Sequence, residues 1–159
     1  MSSRPLALCL LLLAALPACA PLPPPKPFEP PGPGELWPGQ RQARFDSDPA
    51  GFFSAAAAAC AGPGRRVIRP GSDTVSCEML PTPEAAAALI LRYGGTLEAL
   101  PTYVISFSTR REGAGYIVTA DARTLVPRPD GVVLTLRFAD PALDVAMRDL
   151  LAAAGGQTL

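Results

Sequence analysis

Cysteine and arginine carry most of the chemistry this sequence offers. Cys9, Cys19, Cys60 and Cys77 are its thiols, and no two of them stand in the C-x-x-C spacing of a redox pair. The sequence contains no histidine, which removes the commonest general base and the commonest metal ligand. Arginines gather in three places: Arg65, Arg66 and Arg69; Arg110 and Arg111; Arg123 and Arg128. Brought together, they would hold an anionic partner such as lipid headgroups, a wall polymer or an acidic protein surface. Standing apart, they are solvated strand and turn residues, and charge on an edge strand discourages mispairing. Asp46, Asp48, Asp73, Asp121, Asp130 and Asp140 read as turn and cap residues, where local hydrogen bonding accounts for a carboxylate. No G-x-S-x-G, Walker A, H-E-x-x-H or paired zinc ligands occur. The expectation is a protein that is not an enzyme and that uses neither a metal nor a cofactor.

Charge excludes one further class. The chain has 14 basic and 14 acidic side chains among 159 residues, and Lys26 is the only lysine. A balanced chain carries no nucleic-acid footprint.

The elements that must position these residues begin near Phe45. Asp48-Pro49 is an N-cap followed by a pre-organised first turn, and the alanines 55–59 extend a helix that Gly62-Pro63-Gly64 stops. Phe52, Phe53, Ala56 and Cys60 share one of its faces. Residues 65–69 and 74–80 read as a hairpin across Pro70-Gly71-Ser72-Asp73, with Val75, Cys77 and Met79 on one side. Thr82-Pro83 opens a second helix with Ala85, Ala88, Leu89 and Arg92 on its inward stripe, ended by Gly94-Gly95. Tyr103, Ile105 and Phe107 mark one face of a strand over 102–108. A charged loop follows over 109–113, then strands over 115–120 and 132–138, with Leu125-Val126 extending the former. Asp140-Pro141 opens a last helix whose stripe is Leu143, Met147, Leu150, Leu151 and Ala154. The predicted fold class is α+β: a small two-layer domain of order α-ββ-α-βββ-α, with helices on one face of a mostly antiparallel sheet.

Ahead of that domain stand two segments of different composition. Leu6 to Leu16 is an unbroken apolar run of eleven residues, too short for a bilayer-spanning helix of about 20 and suited to the core of a signal peptide. It leads into Leu16-Pro17-Ala18-Cys19. From Ala20 to Pro38 proline dominates, which excludes helix and central strand and leaves an extended spacer. Trp37 is the one large aromatic near its end.

The Leu16-Pro17-Ala18-Cys19 stretch resembles the lipobox of bacterial lipoproteins, with Pro17 a departure from the usual residue there. The resemblance covers residues 1–19 and does not extend to the domain. It implies cleavage before Cys19, lipid on the Cys19 sulfur, and a stable two- or three-chain anchor. With Ala20 rather than Asp after the cysteine, it implies the outer membrane, facing the periplasm. The organisation expected is then 1–18 signal peptide, 19–44 lipidated cysteine and tether, and 45–159 a single domain. Cys9 is lost and Cys19 is lipidated, leaving Cys60 and Cys77 as an even pair in an oxidising compartment. A disulfide between them is expected; two free buried thiols are the alternative if their Cα atoms lie too far apart.

The function expected is a lipid-anchored interaction or structural module, accessory to an envelope complex. It would be held to the membrane by lipid, contact an envelope protein and bind no nucleic acid. The alternative is a ligand-binding lipoprotein with a pocket between sheet and helices. The candidate contacts for an anionic partner are Arg65, Arg66, Arg69, Arg110 and Arg111.

Overall fold

The computed structural model describes residues 31–32 and 35–159; the expected signal peptide, Cys19 and most of the tether lie outside the described residues. The organising element is a hairpin of two long strands, β4 (Thr102–Glu112) and β5 (Gly115–Pro127). They pair antiparallel from Thr102↔Leu125 to Glu112↔Gly115. The turn is tight because Gly113 takes a φ of 60°, which a residue without Cβ adopts at no steric cost. The expected charged loop is therefore absent: Arg110 and Arg111 are in β4, paired with Ile117 and Tyr116.

Around this hairpin the chain lays β1 (Gln40–Phe45), α1 (Ala50–Cys60), β2 (Arg65–Ile68), β3 (Thr74–Met79) and α2 (Pro83–Tyr93) before it, and β6 (Val133–Leu136), α3 (Pro141–Ala153) and β7 (Gln157–Thr158) after it. The sheet order is β2-β3-β4-β5-β1-β7, with β6 also on β5, and every pairing is antiparallel. β5 is long enough to serve two neighbours on one edge: β1 lies along Tyr116–Asp121 and β6 along Thr124–Pro127. The class is α+β as expected, with β1 and β7 added to the predicted order. β1 starts at Gln40, inside the stretch expected to be tether, so the folded part begins ahead of Phe45.

Strand alternation gives the sheet two unlike faces. Val75, Cys77, Ile105, Phe107, Val118, Ala120, Ala122, Ala43 and Phe45 fall on one face by register. There α1 and α3 deliver Phe53, Ala57, Met147 and Leu151 to a single buried cluster. Phe52 stands edge-on to Phe107, ring centroids 5.0 Å apart, a favoured aromatic geometry. α3 can sit this low because Gly156 follows it: a Cβ there would lie 2.7 Å from the Phe45 ring. The capping devices form as the sequence predicts. Asp140 accepts from the N–H groups of Ala142 and Leu143, and Thr82 from Ala85. At α1 the cap residue is Pro49, one later than expected, while Asp48 Oδ1 accepts from Ala50 at 3.0 Å.

Cys60 at the end of α1 and Cys77 in β3 form a disulfide, with Cα atoms 5.7 Å apart. It fastens α1 to the β2–β3 ribbon, an outlying part of the sheet. Among the described residues no helix is long and apolar enough to cross a membrane.

Candidate functional site

α2 does not pack as the other two helices do. Of its eleven residues only Ala86 is buried. The helix meets the sheet at its C-terminal end, where Gly95 lies so close to Val126 that a Cβ would sit 3.0 Å from Val126 Cγ1. Beside that contact an open cleft of about 630 Å³ remains between the helix and the sheet. The floor is sheet: Met79, Tyr103, Ile105, Ala122 and Thr124. One wall is Ala85, Ala88, Leu89 and Arg92 of α2, and the opposite wall is Phe138 and Leu143, either side of the α3 N-terminus. The predicted inward stripe of α2 thus does face the sheet, but it lines a cavity instead of closing onto the core. Small side chains on both sides, Ala85 and Ala88 above Ala122, leave the space unfilled.

The cleft is apolar with a polar margin. The carboxylate of Asp140 is committed to the cap of α3. Arg123 lines the cleft too, yet its guanidinium bonds Asp121 and Ser106. Arg92 is exposed, lies 5.6 Å from the ring centroid of Tyr93, and forms no ion pair with a described residue. It is the charge at the margin still open to a ligand. A volume of this size, mostly apolar with one free cation, suits a small amphiphile.

The predicted arginines do not form one site. Arg65 donates to the Ala59 carbonyl at 3.2 Å. Arg66 holds Glu78 through Nε at 3.1 Å and Nη2 at 2.6 Å, and Arg69 reaches the Phe53 carbonyl at 3.4 Å. Arg65 and Arg66 do share a shallow hollow of about 290 Å³ with Glu78 and Leu80. Arg110 pairs with Glu112 at 3.1 Å. Glu78 faces Val104, and Arg110 lies six residues further along β4, about 20 Å away at strand spacing. Arg111 alternates to the other face. Arg128 pairs with Asp130 at 3.4 Å.

One charged cluster escaped the sequence reading. Asp121 is not at a turn but in the middle of β5, 8 % exposed. It points to the sheet face away from the helices, where both Arg137 and Arg123 bond its carboxylate. Arg123 also donates to Ser106 at 2.8 Å, and Arg137 lies 5.4 Å from the ring centroid of Trp37. Burial pushes the Asp121 carboxyl up, but the hydrogen bonds from Arg137, Arg123 and Gln40 and the Arg137 charge together outweigh it and hold the pKa below the usual value. A carboxylate so held is a weak base. The cluster joins Trp37, β4, β5 and the residue after β6. Among the described residues no three His, Cys, Asp or Glu side chains converge as metal ligands.

No protein-family model matches the chain, and no curated protein or solved structure is similar enough to it to show a shared family or fold.

Proposed function

We propose that the chain is a lipid-anchored, periplasm-facing lipoprotein of the bacterial outer membrane that binds a small amphiphile in the cleft beneath α2, without catalysis. The observation that carries this reading is the α2 stripe of Ala85, Ala88 and Leu89, which lines an open apolar cavity where a core would otherwise close. The apolar part of the ligand lies on Ile105 and Ala122, and an anionic group meets Arg92 at the margin. The Leu16-Pro17-Ala18-Cys19 motif supports the anchor. The test is calorimetric titration of the full chain with dodecanoate. Ala88→Trp, which fills the cavity from an exposed helix position, should abolish binding, and Arg92→Gln should weaken it about tenfold, the loss of one charge-assisted contact. Equal affinity in the parent and in Ala88→Trp would place any binding elsewhere.

A second reading, the interaction module accessory to an envelope complex, is favoured by a different observation. Leu91 is 86 % exposed and Leu97 is 80 % exposed, on α2 and on the loop after it. Apolar side chains this free on adjoining segments are available for a protein partner to cover. Crosslinking in cells that captures one discrete envelope protein, lost in a Leu91→Ser, Leu97→Ser variant, would favour this reading over the first.

A further inference from the structure

Strand β6 is short, uncharged and paired on one side only. Its hydrogen-bond phase is fixed by the turn before it. The N–H of Arg128 donates to the carbonyl of Val132 at 2.9 Å. Hydrogen-bonded pairs recur at every second residue of an antiparallel ladder, so Leu134 and Leu136 exchange bonds with Val126 and Thr124. The N–H and C=O groups of Val133 and Thr135 therefore point away from the sheet. Both residues are exposed, and no hydrogen bond from another described residue reaches their backbone.

The other two outer edges are blunted. β2 carries Arg65 and Arg66, the former folded onto the end of α1, and β7 has two residues. Natural sheets use charge and brevity in this way to stop edge pairing. β6 uses no charge: in Val132-Val133-Leu134-Thr135-Leu136 the β-branched Val132, Val133 and Thr135 are strand formers and the other two are apolar. Large apolar side chains in and beside it are open to solvent, with Val132 53 %, Val133 52 % and Phe138 47 % exposed.

We propose that β6 is a self-association edge, joined to β6 of a second copy of this chain in an antiparallel, two-fold pair. Self-complementarity identifies the occupant. With the axis at Leu134, Val133 of each copy faces Thr135 of the other, so the outward donors and acceptors match each other. Leu134 meets its own equivalent, and Val132 meets Leu136. No charged side chain is placed opposite a like charge within the pair. Both sheets would run on as one, an isologous contact that closes on itself.

The test is sedimentation equilibrium of the full chain in density-matched detergent, over a wide concentration range, with two variants. Thr135→Pro removes a donor that points outward and leaves the ladder to β5 whole. The unsubstituted chain should show a reversible monomer–dimer equilibrium, and Thr135→Pro should remain a monomer at every concentration while keeping the parent's circular dichroism. Leu134→Cys should give a covalent dimer on mild oxidation, since the pair on the axis is of the close type with Cα atoms about 4.5 Å apart; Val132→Cys should not. A parent that stays monomeric throughout overturns the proposal and leaves the edge to a strand of another protein. A dimer that survives Thr135→Pro overturns it as well, because the contact then lies on another surface.

Discussion

Replacing Asp121 with asparagine would leave two guanidinium groups facing each other across a site with little water. In the parent, the Asp121, Arg137 and Arg123 side chains are 11 %, 16 % and 26 % exposed. Removing one partner of a fully buried pair costs about 3–5 kcal/mol. Residual solvent at Arg123 lowers that, and we take about 3 kcal/mol for Asp121→Asn. For a fold of this size each kcal/mol moves the thermal midpoint by about 4 °C, so the midpoint should fall by about 12 °C. The assay is thermal denaturation followed by circular dichroism at pH 7 and along a descending pH series. The folded pKa of Asp121 lies below its unfolded value. Its contribution is therefore complete above the ordinary carboxylate range near pH 4 and is lost as pH falls through the folded pKa. The gap between parent and variant should narrow over that same interval. Adding Arg137→Gln to Asp121→Asn should recover about 1 kcal/mol or more, because the penalty lies in the unpaired cation. A midpoint at pH 7 within about 2 °C of the parent, corresponding to about 0.5 kcal/mol, would refute the reasoning. A gap that stays constant below pH 4 would refute it too.

Three further outcomes are expected. Cys60→Ala should destabilise the oxidised protein by about 3 kcal/mol in the chain-entropy picture, read as a lower urea midpoint, and a reducing agent should lower the parent's midpoint while leaving the variant's unchanged. Asp140→Ala should cost about 1 kcal/mol through loss of the α3 cap, measured in the same urea titration, while Asp140→Asn should cost less. Cys19→Ser should release the protein from the membrane fraction or leave an uncut precursor, and a correctly cut, membrane-bound Cys19→Ser protein would remove the basis for the lipid anchor.

Local signals were readable because local chemistry sets them. Thr82-Pro83 and Asp140-Pro141 announce helix starts, since the cap side chain and the proline ring act within one turn. Val75-Cys77-Met79 and Tyr103-Ile105-Phe107 announce the sheet face that the helices cover, whose Val75 and Phe107 end is buried and whose Met79 and Tyr103 end floors the cleft. The Cys60–Cys77 pair was legible only once the lipobox resemblance set Cys9 and Cys19 aside. β1 was hidden: Gln40, Arg41, Gln42 and Arg44 surround only Ala43 and Phe45, beside a proline-rich stretch, and the strand is held by register to β5 rather than by its own pattern. Asp121 did leave a signal. Val118, Ala120, Ala122 and Val126 keep one parity straight through it, which places Asp121 and Arg123 together on the opposite face. What no local pattern carries is the arrival of Arg137 from another strand's end. The cleft is illegible for a similar reason: the α2 stripe shows which side faces the sheet, not how far away the sheet is.

The placement of β1 also bears on when the fold can close. β1 is the first strand of the sheet to be synthesised, yet one neighbour is β5 and the other is β7, whose Thr158 pairs with Ala43. β2 to β5 can assemble from near-neighbours in sequence, while β1 must wait for partners made much later. Such distant pairings slow folding. In a chain exported before it folds, as the proposed anchor would require, β1 stays unpaired until β5 has emerged, and its other neighbour, β7, comes later still.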